Sequence, residues 1–449
     1  MVLFWVPGQF ELKDLFISFI AVLFLLGLST LTSPKSLKLK KYFYRGLLIK
    51  IIGGLLFWLV YCQVYNGGDS WSYFKSSKAI SKLLVSYFPD GYKIIIGEIS
   101  HDNCFDFFNY GTGFPAYYMT RDSNTFMVAR ICSIFSFITF NSFMTCTILV
   151  SSFSFMGVWR LFKMVTDLYP KINEKHLFYI IICTPSLLFW GGGIMKDTFV
   201  LNASCWIAYN FYMFFVKKEK RLINALVLFM NIIIIINIKS YILISLIPGL
   251  VLWLNNLNLK NIKNPIFKIL FGPLIIIFFI SLTLGALGSI GEYMGEYKDI
   301  DSAIMQAKVI QEDLLREEAY GSNSYNIGEI DGSFTGLLRL APIAIFTSIF
   351  RPLPWEIGSP MMVISVFENL ILLFFTISLL LRLSPYKFFK EISKDPFLAF
   401  AFIFSMFFSF GVGVASTNFG ALVRYKIPLI PFLFVCIYII YSKNKIKKI

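Results

Sequence analysis

The stretch FLAFAFIFSMFFSFGVGVA, residues 397–415, decides the fold class, because it carries no charge and is long enough to span a bilayer. Similar apolar stretches recur along the chain, and hydrophobic residues occupy 57% of the 449 positions. A soluble domain cannot bury that much apolar surface, so most of the chain must face lipid or other helices. Because backbone groups in hydrocarbon must be satisfied internally, and the sequence lacks the alternating pattern of a barrel, it predicts an all-α, polytopic membrane protein.

Short basic clusters between the apolar stretches predict the topology. These clusters hold 24 basic and five acidic residues, whereas the remainder holds 17 basic and 21 acidic residues. This asymmetry follows the positive-inside rule, so the net charge of +15 does not call for a nucleic-acid partner. The N-terminus is then outside and the C-terminus cytoplasmic. The clusters lie at 35–45, 160–175, 217–221, 260–268, 382–395 and 443–448. The eleven predicted spans lie near 14–32, 46–65, 142–161, 177–193, 198–216, 222–238, 241–256, 267–289, 361–382, 397–415 and 425–441.

Two long outer segments, about 66–125 and 290–360, are predicted to carry interfacial helices. The apolar residues 126–140 and 336–350 each contain an arginine, so each is interpreted as an interfacial or re-entrant helix rather than as a span. The sequence shows no internal repeat and no Gly/Ser linker. Residues 1–449 are therefore predicted to form a single transmembrane domain with an elaborated outer face.

Unusual polar residues collect where the predicted spans reach this outer face. Ionisable groups at a membrane edge are costly and tend to be functional. Five outer elements bring Asp, Lys, Arg, Glu and Trp side chains to the same face. They are NGGDSWSY (66–73), PSLLFWGGGIMKD (185–197), KSY (239–241), RPLPWE (351–356), and NFG with RYK (418–420 and 424–426).

The acidic and lysine residues of these elements each have two open interpretations. Asp69 follows two glycines and is either a helix cap or turn residue, or a general base or metal ligand that acts on a hydroxyl nucleophile. Lys196 and Asp197 either form a local ion pair or add charge to a glycine-rich anion site at a helix N-terminus. Lys239 either snorkels to the interface or binds phosphate. Asp197 and Glu356 either orient cations or ligate a divalent metal, so the cofactor is unknown.

The remaining candidates are arginines and aromatic residues. Arg351 and Arg424 are either lipid-headgroup anchors or phosphate ligands, and a ring of cations at the outer edge suits a phosphate or diphosphate. Trp355 and Tyr73 either belong to the interfacial aromatic belt or contact sugar rings of a substrate.

Such a face suits the transfer of a sugar from a polyprenyl-phosphate or polyprenyl-diphosphate carrier. Cations at helix ends would stabilise the leaving phosphate, and a carboxylate would deprotonate the acceptor hydroxyl. The sequence contains no P-loop and no Gly-rich strand-to-helix turn for a nucleotide. A lipid-linked donor does not require one.

The Asp-x-x-x-Tyr motif, from Asp69 to Tyr73, resembles that of the bacterial C-type glycosyltransferases in the first long outer loop of a multi-spanning chain. The resemblance implies that Asp69 is the catalytic base. The P-S-x-x-x-W-x-x-G-x-x-K-D and R-P-x-P-W-E runs, at 185–197 and 351–356, are similar to those of membrane proteins of bacterial surface-polysaccharide assembly. The overall architecture is also similar to that of O-antigen or capsule repeat-unit polymerases.

We therefore expect a multi-pass protein of the bacterial cytoplasmic (inner) membrane, in contact with membrane lipids and a polyprenyl-linked glycan, that transfers or polymerises lipid-linked sugars on the extracytoplasmic face. Asp69 is the candidate catalytic residue. Two alternatives are open: a transporter or flippase for a lipid-linked oligosaccharide, and a non-catalytic assembly component. The candidate substrate-binding residues are Tyr73, Lys196, Asp197, Lys239, Arg351, Trp355, Glu356 and Arg424.

Overall fold

The computed structural model describes residues 10–34, 36–259, 300–315, 323–328 and 333–446. Within these ranges the regular secondary structure is helical and contains no strand. Eight helical segments among the described residues are long and apolar enough to cross a membrane. The predicted fold class, an all-α polytopic membrane protein, is therefore confirmed.

The chain divides into two compact units. Unit 1 comprises the described residues of Met1–Phe162, Leu187–Cys205 and Asn237–Lys239, and unit 2 comprises the other described residues. The helices, in chain order, are α1 (Leu12–Thr32), α2 (Leu37–Gln63), α3 (Gly68–Ser86), α4 (Phe88–Ile96), α5 (Ser123–Ile138), α6 (Phe143–Leu168), α7 (Glu174–Ile182), α8 (Pro185–Phe189), α9 (Lys196–Phe211), α10 (Arg221–Leu259), α11 (Ile300–Leu314), α12 (Phe334–Phe350), α13 (Pro360–Lys394), α14 (Pro396–Ala415), α15 (Phe419–Tyr425) and α16 (Ile430–Ile446).

One predicted span is not a continuous helix. Residues 177–193 form the two short helices α7 and α8, followed by a 3-10 turn, instead of one continuous helix. The interruption falls at Cys183 and Thr184, directly before Pro185, because proline disfavours helical backbone in the residue before it and starts a new helix readily. The predicted span at 267–289 lies outside the described residues.

The break inside α10 confirms a pair of predicted helices. Lys239 has non-helical backbone angles (φ −152°, ψ 79°). A straight helix would separate Arg221 from Trp253 by about 48 Å. Yet Arg221 lies 5.6 Å from the Phe214 ring, and Trp253 lies 5.2 Å from the Phe211 ring. Both ends of α10 therefore return to the same segment, and the chain reverses at Lys239.

The predicted cytoplasmic segments meet at one end of unit 2. The carboxylate of Asp395 accepts hydrogen bonds from the Tyr169 hydroxyl and from Lys443 Nζ, each at 2.7 Å. Two residues before Tyr169, Asp167 forms an ion pair of 2.8 Å with Lys217. Four of the basic clusters are thus gathered at one end, as the charge asymmetry predicts.

In unit 1, α3, α4 and α5 form a compact group, here called the α3–α5 platform. The Ser77 and Ser136 hydroxyls form a 2.7 Å hydrogen bond between α3 and α5. At 16 residues, α5 is shorter than a typical membrane span, in line with its interpretation as a non-spanning helix. The platform has its own apolar core, which includes Ala79, Ile80, Leu83, Ile94, Phe126 and Ala129.

Candidate functional site

Asp69 lies at the entrance of α3, after a tight turn. Asn66, Gly67 and Gly68 all have positive φ angles (49°, 91° and 46°), a conformation that glycine adopts without steric cost. Asp69 is in the first helical turn and is solvent-exposed. A carboxylate there is favourably placed toward the positive end of the helix dipole. The turn therefore presents an acidic side chain at the surface of unit 1.

Asp122 and Lys196 form the first of two ion pairs in this unit. Lys196 Nζ lies 3.0 Å from Asp122 Oδ2, and the same carboxylate caps α5 by accepting a 2.9 Å hydrogen bond from the Asn124 amide. Burial by itself raises the pKa of Asp122, but the Lys196 charge and the hydrogen bonds from Thr125, Lys196 and Asn124 hold that pKa below its usual value. Asp122 is therefore ionised at neutral pH.

Because the folded-state pKa of Asp122 is lowered, its contribution to stability is present above the usual carboxyl pKa and is lost as the pH falls through the folded value. We expect Asp122→Asn to lower the thermal midpoint of the detergent-solubilised protein at neutral pH but much less at about pH 3. Lys196→Met should likewise lower the thermal midpoint at neutral pH and have a smaller effect at about pH 3. An equal loss at both pH values would contradict a charge-based role of this pair.

The second ion pair lies at the chain reversal of α10. Lys239 Nζ is 2.5 Å from Asp197 Oδ1, and the two side chains are only 9% and 4% exposed. Asp197 is in the first turn of α9, directly after Lys196. Of the two interpretations of Lys239, snorkelling is wrong, because the side chain is buried against an aspartate. Asp197 orients a cation, as one of its two interpretations predicts.

Tyr73 lies among these charged groups. It is 6% exposed, one turn after Asp69 on the same face of α3. Burial, followed by the charges of Asp69, Asp197 and Asp122, raises the pKa of Tyr73 well above its usual value. The phenol therefore stays protonated and can donate a hydrogen bond. Because it is buried, Tyr73 does not belong to an exposed aromatic belt.

Five predicted site residues are thus brought together in unit 1, and the sequence reading missed one further member. Asp122 precedes the apolar helix α5 as an Asp-Ser-Asn sequence, which is a typical N-cap signal. Its role as a partner of Lys196 follows only from the tertiary contact. The five predicted members are Asp69, Tyr73, Lys196, Asp197 and Lys239.

The three glycines before Lys196 pack against α2. A Cβ on Gly193 would overlap the Phe57 ring, and one on Gly54 would lie 2.7 Å from Ser151 Cβ and 3.1 Å from the Gly192 carbonyl oxygen. The Thr198 hydroxyl donates a 2.7 Å hydrogen bond to the Gly193 carbonyl and so ties α9 to this turn. Glycine is therefore needed here because this turn packs closely against α2. The interpretation in which the glycines let an anion approach the backbone is not needed to explain them.

The other predicted residues belong to unit 2. Arg351 Nη2 lies 2.5 Å from Glu356 Oε1, and the guanidinium lies 4.9 Å and 5.0 Å from the Tyr325 and Phe419 ring centroids. Glu356 also accepts a 2.8 Å hydrogen bond from the Leu353 amide. Glu356 is therefore placed to orient a cation, which is one of its two interpretations. The guanidinium that was predicted to hold phosphate is held by this carboxylate and two rings.

Trp355 and Arg424 occupy surface positions in unit 2. Trp355 is 79% exposed, as either of its two interpretations requires. Arg424 is half-buried in the last turn of α15, where a cation complements the helix dipole. Both residues stay predictions for substrate contact.

The acidic residues do not assemble a metal site in the part of the chain that the structure describes. No group of three or more His, Cys, Asp or Glu side chains there is arranged to hold a metal ion. Asp197 and Glu356, the two candidates for a divalent metal, are instead paired with Lys239 and Arg351.

Three buried ionisable residues lie in apolar segments that are long enough to cross a membrane. Lys50 is 2% exposed in α2, and its Nζ donates a 2.5 Å hydrogen bond to the Leu187 carbonyl. Glu368 in α13 is 5% exposed and accepts a 2.6 Å hydrogen bond from the Ser186 amide. Lys426 is 2% exposed. The sequence pattern gave no role to Lys50 and placed Lys426 only in the last outer element, since a single lysine beside apolar residues does not reveal its burial.

Comparisons with protein-family models, curated proteins and solved structures find no match for this chain. The function must therefore be argued from the site itself.

Proposed function

We propose that the protein transfers or polymerises lipid-linked sugars at the extracytoplasmic face of a bacterial inner membrane, as an enzyme of surface-polysaccharide assembly. The observation that carries the proposal is the cluster in unit 1, where an exposed carboxylate, a buried phenol and two lysines lie at the ends of α3, α9 and the first half of α10. An acid that accepts a proton and cations that face a leaving phosphate are the two requirements of glycosyl transfer from a lipid phosphate.

In the proposed reaction, the acceptor hydroxyl attacks the anomeric carbon of the donor sugar. The bond between that carbon and the carrier phosphate oxygen breaks, the proton of the hydroxyl passes to Asp69, and the polyprenyl phosphate or diphosphate leaves as an anion. Lys196, whose side chain is 22% exposed, contacts that anion. Lys239 and Asp197 are buried behind it and position the start of α9.

The residues of unit 2 have a secondary part in this proposal. Arg424 and Trp355 stay candidates for substrate contact within unit 2, since both side chains reach the surface of that unit. Arg351 and Glu356 hold the loop that carries Trp355. The proposed orientation has the N-terminus outside and the C-terminus in the cytoplasm.

Replacing Asp69 with asparagine tests the proposal. In cells that lack the native chain and carry the variant, we expect transfer to fall by about 10²–10⁴-fold, because the general base is lost while shape is kept. The measurement is the length distribution of the surface glycan, together with the amount of polyprenyl-linked precursor in the membrane. Loss of long glycan with accumulation of the precursor is the expected result.

Asp90→Asn is the matched control, because Asp90 is also an acidic residue in the first turn of its helix, α4, and loses the same dipole interaction. Wild-type activity of Asp90→Asn alongside an inactive Asp69→Asn supports a catalytic carboxylate. If Asp69→Asn retains full transfer at normal expression, Asp69 is not the base and the proposal fails.

A transporter for lipid-linked oligosaccharide is the second candidate function. The buried ionisable residues Lys50, Glu368 and Lys426, all in apolar segments long enough to cross a membrane, favour it, because such groups often line transport paths. A transporter should lose function with Glu368→Gln and keep it with Asp69→Asn. The opposite pattern distinguishes the enzyme.

A further inference from the structure

The short helix α4 presents three different sides. Phe88, Tyr92 and Ile96 recur every four residues and are 63%, 49% and 53% exposed. The Phe88 and Tyr92 rings stack with centroids 5.9 Å apart. Leaving such a face in water costs about 25 cal/mol for each Å² of apolar surface. The exposed apolar side of α4 would therefore be stabilised by contact with another apolar surface.

A second side of α4 packs on the α3–α5 platform. Ile94 is fully buried, and a Cβ on Gly91 would lie 2.7 Å from Leu84 Cα, so helix and platform are in close contact. The third side carries Lys93, which is exposed, and Asp90, which is half-exposed. Around α4, one side packs on the platform, the next is apolar and exposed, and the third is charged. This is the arrangement of a helix that lies at a membrane surface.

The contacts of α3 place the α3–α5 platform beside the end of α2 and the beginnings of α1 and α6. Only four residues separate the end of α2 from the start of α3. The Trp71 ring lies 5.3 Å from the ring of Phe143, the first residue of α6. Lys78, two turns further along α3, interacts electrostatically with Asp14 in the first turn of α1. α3 therefore runs across the ends of three membrane-spanning helices and does not project away from them.

We propose that the Phe88–Tyr92–Ile96 face of α4 is a lipid-binding surface that lies in the headgroup and upper acyl region of the leaflet where α2 ends. α4 packs on α3, and α3 crosses the ends of spans, so the exposed apolar side of α4 lies at a depth where it can reach lipid. Phenylalanine and tyrosine are suited to this depth, because aromatic rings favour the membrane interface. Lys93 and Asp90 then face the aqueous side.

Lipid contact of α4 has a consequence for Asp69. Asp69 is in α3, which belongs to the same α3–α5 platform as α4. Asp69 would therefore lie at the depth of the lipid headgroups, where the phosphate of a polyprenyl carrier also lies. The lipid contact itself does not require the proposed function.

Spin labels on neighbouring residues test this surface in the full chain. Six of the seven native cysteines are buried and Cys183 is half-buried, so a Cys183→Ser background leaves introduced surface cysteines as the reactive ones. Tyr92→Cys, Ile96→Cys and Lys93→Cys are labelled with a nitroxide in vesicles of phosphatidylethanolamine and phosphatidylglycerol. Their collision rates with oxygen, which partitions into lipid, and with a water-soluble nickel chelate are then compared.

We expect oxygen collisions to dominate at residues 92 and 96 and nickel collisions to dominate at residue 93. Tyr110→Cys serves as the aqueous control, since Tyr110 is 97% exposed. Nickel collisions at residues 92 and 96 as frequent as at residue 110 would mean that the face is open to water. Low collision rates with both reagents would mean that protein covers it. Either result overturns the inference, whereas loss of transfer in Asp69→Asn leaves it unaffected.

Discussion

Gly413→Ala is expected to destabilise the protein by about 3 kcal/mol, because it inserts a methyl group where two helices touch through their backbones. A Cβ on Gly413 of α14 would overlap the carbonyl oxygen of Ala344 in α12 and lie 2.6 Å from its carbonyl carbon. Backbone atoms cannot turn aside as a side chain can. α12 and α14 would have to separate, which would also displace Arg351 just after the end of α12.

Gly411→Ala is the matched control for this change, two residues earlier in the same helix. No heavy atom lies within 4 Å of a Cβ at Gly411, and alanine favours helix over glycine by up to about 1 kcal/mol. Thermal unfolding in detergent can be followed with a thiol-reactive dye, because the native cysteines are mostly buried. Equal midpoints for the two variants would show that α12 and α14 do not pack this closely.

Lys426→Met is expected to cost on the order of 3 kcal/mol, since it removes one member of a buried polar network. Lys426 Nζ donates hydrogen bonds to Asn369 Oδ1 at 2.7 Å and to the Arg351 carbonyl at 3.0 Å. Asn369 in turn donates a 3.0 Å hydrogen bond to the Pro352 carbonyl. Glu368 lines the same small cavity as Lys426, so the substitution leaves a buried carboxylate without its nearby cation.

The exposed Lys445→Met substitution controls for the loss of a lysine and should leave the thermal midpoint unchanged. Adding Glu368→Gln to Lys426→Met should recover part of the lost stability, because the remaining buried charge is removed as well. If the two changes destabilise additively, Glu368 and Lys426 do not interact and the network has been assigned incorrectly.

Apolar length alone was sufficient to predict the helices that cross the membrane. The stretches at 14–32 and 397–415 coincide with α1 and α14 within two residues. The prediction of one continuous helix was wrong at 177–193. This stretch is apolar, but Pro185 and the glycines interrupt the helix. Hydropathy averages over such residues, whereas backbone geometry responds to each of them.

The candidate site was predictable in type but not in its pairings. Asp69, Lys196 and Lys239 stand out because they lie at the predicted outer ends of apolar stretches, away from the basic clusters of the cytoplasmic face. That Lys196 pairs with Asp122, and Lys239 with Asp197, depends on contacts across 74 and 42 residues. Nothing in the local sequence encodes these distances, since they result from how α5, α9 and α10 pack.

The sequence by itself determined that the chain is an all-helical membrane protein and where its basic segments lie, because the bilayer imposes those properties on each stretch independently of the others. Only the tertiary structure decided which ionisable groups are buried, as with Lys50 and Lys426, and which cations are already engaged, as with Arg351. Burial and pairing are properties of neighbours in space, and an isolated stretch of sequence carries no record of those neighbours.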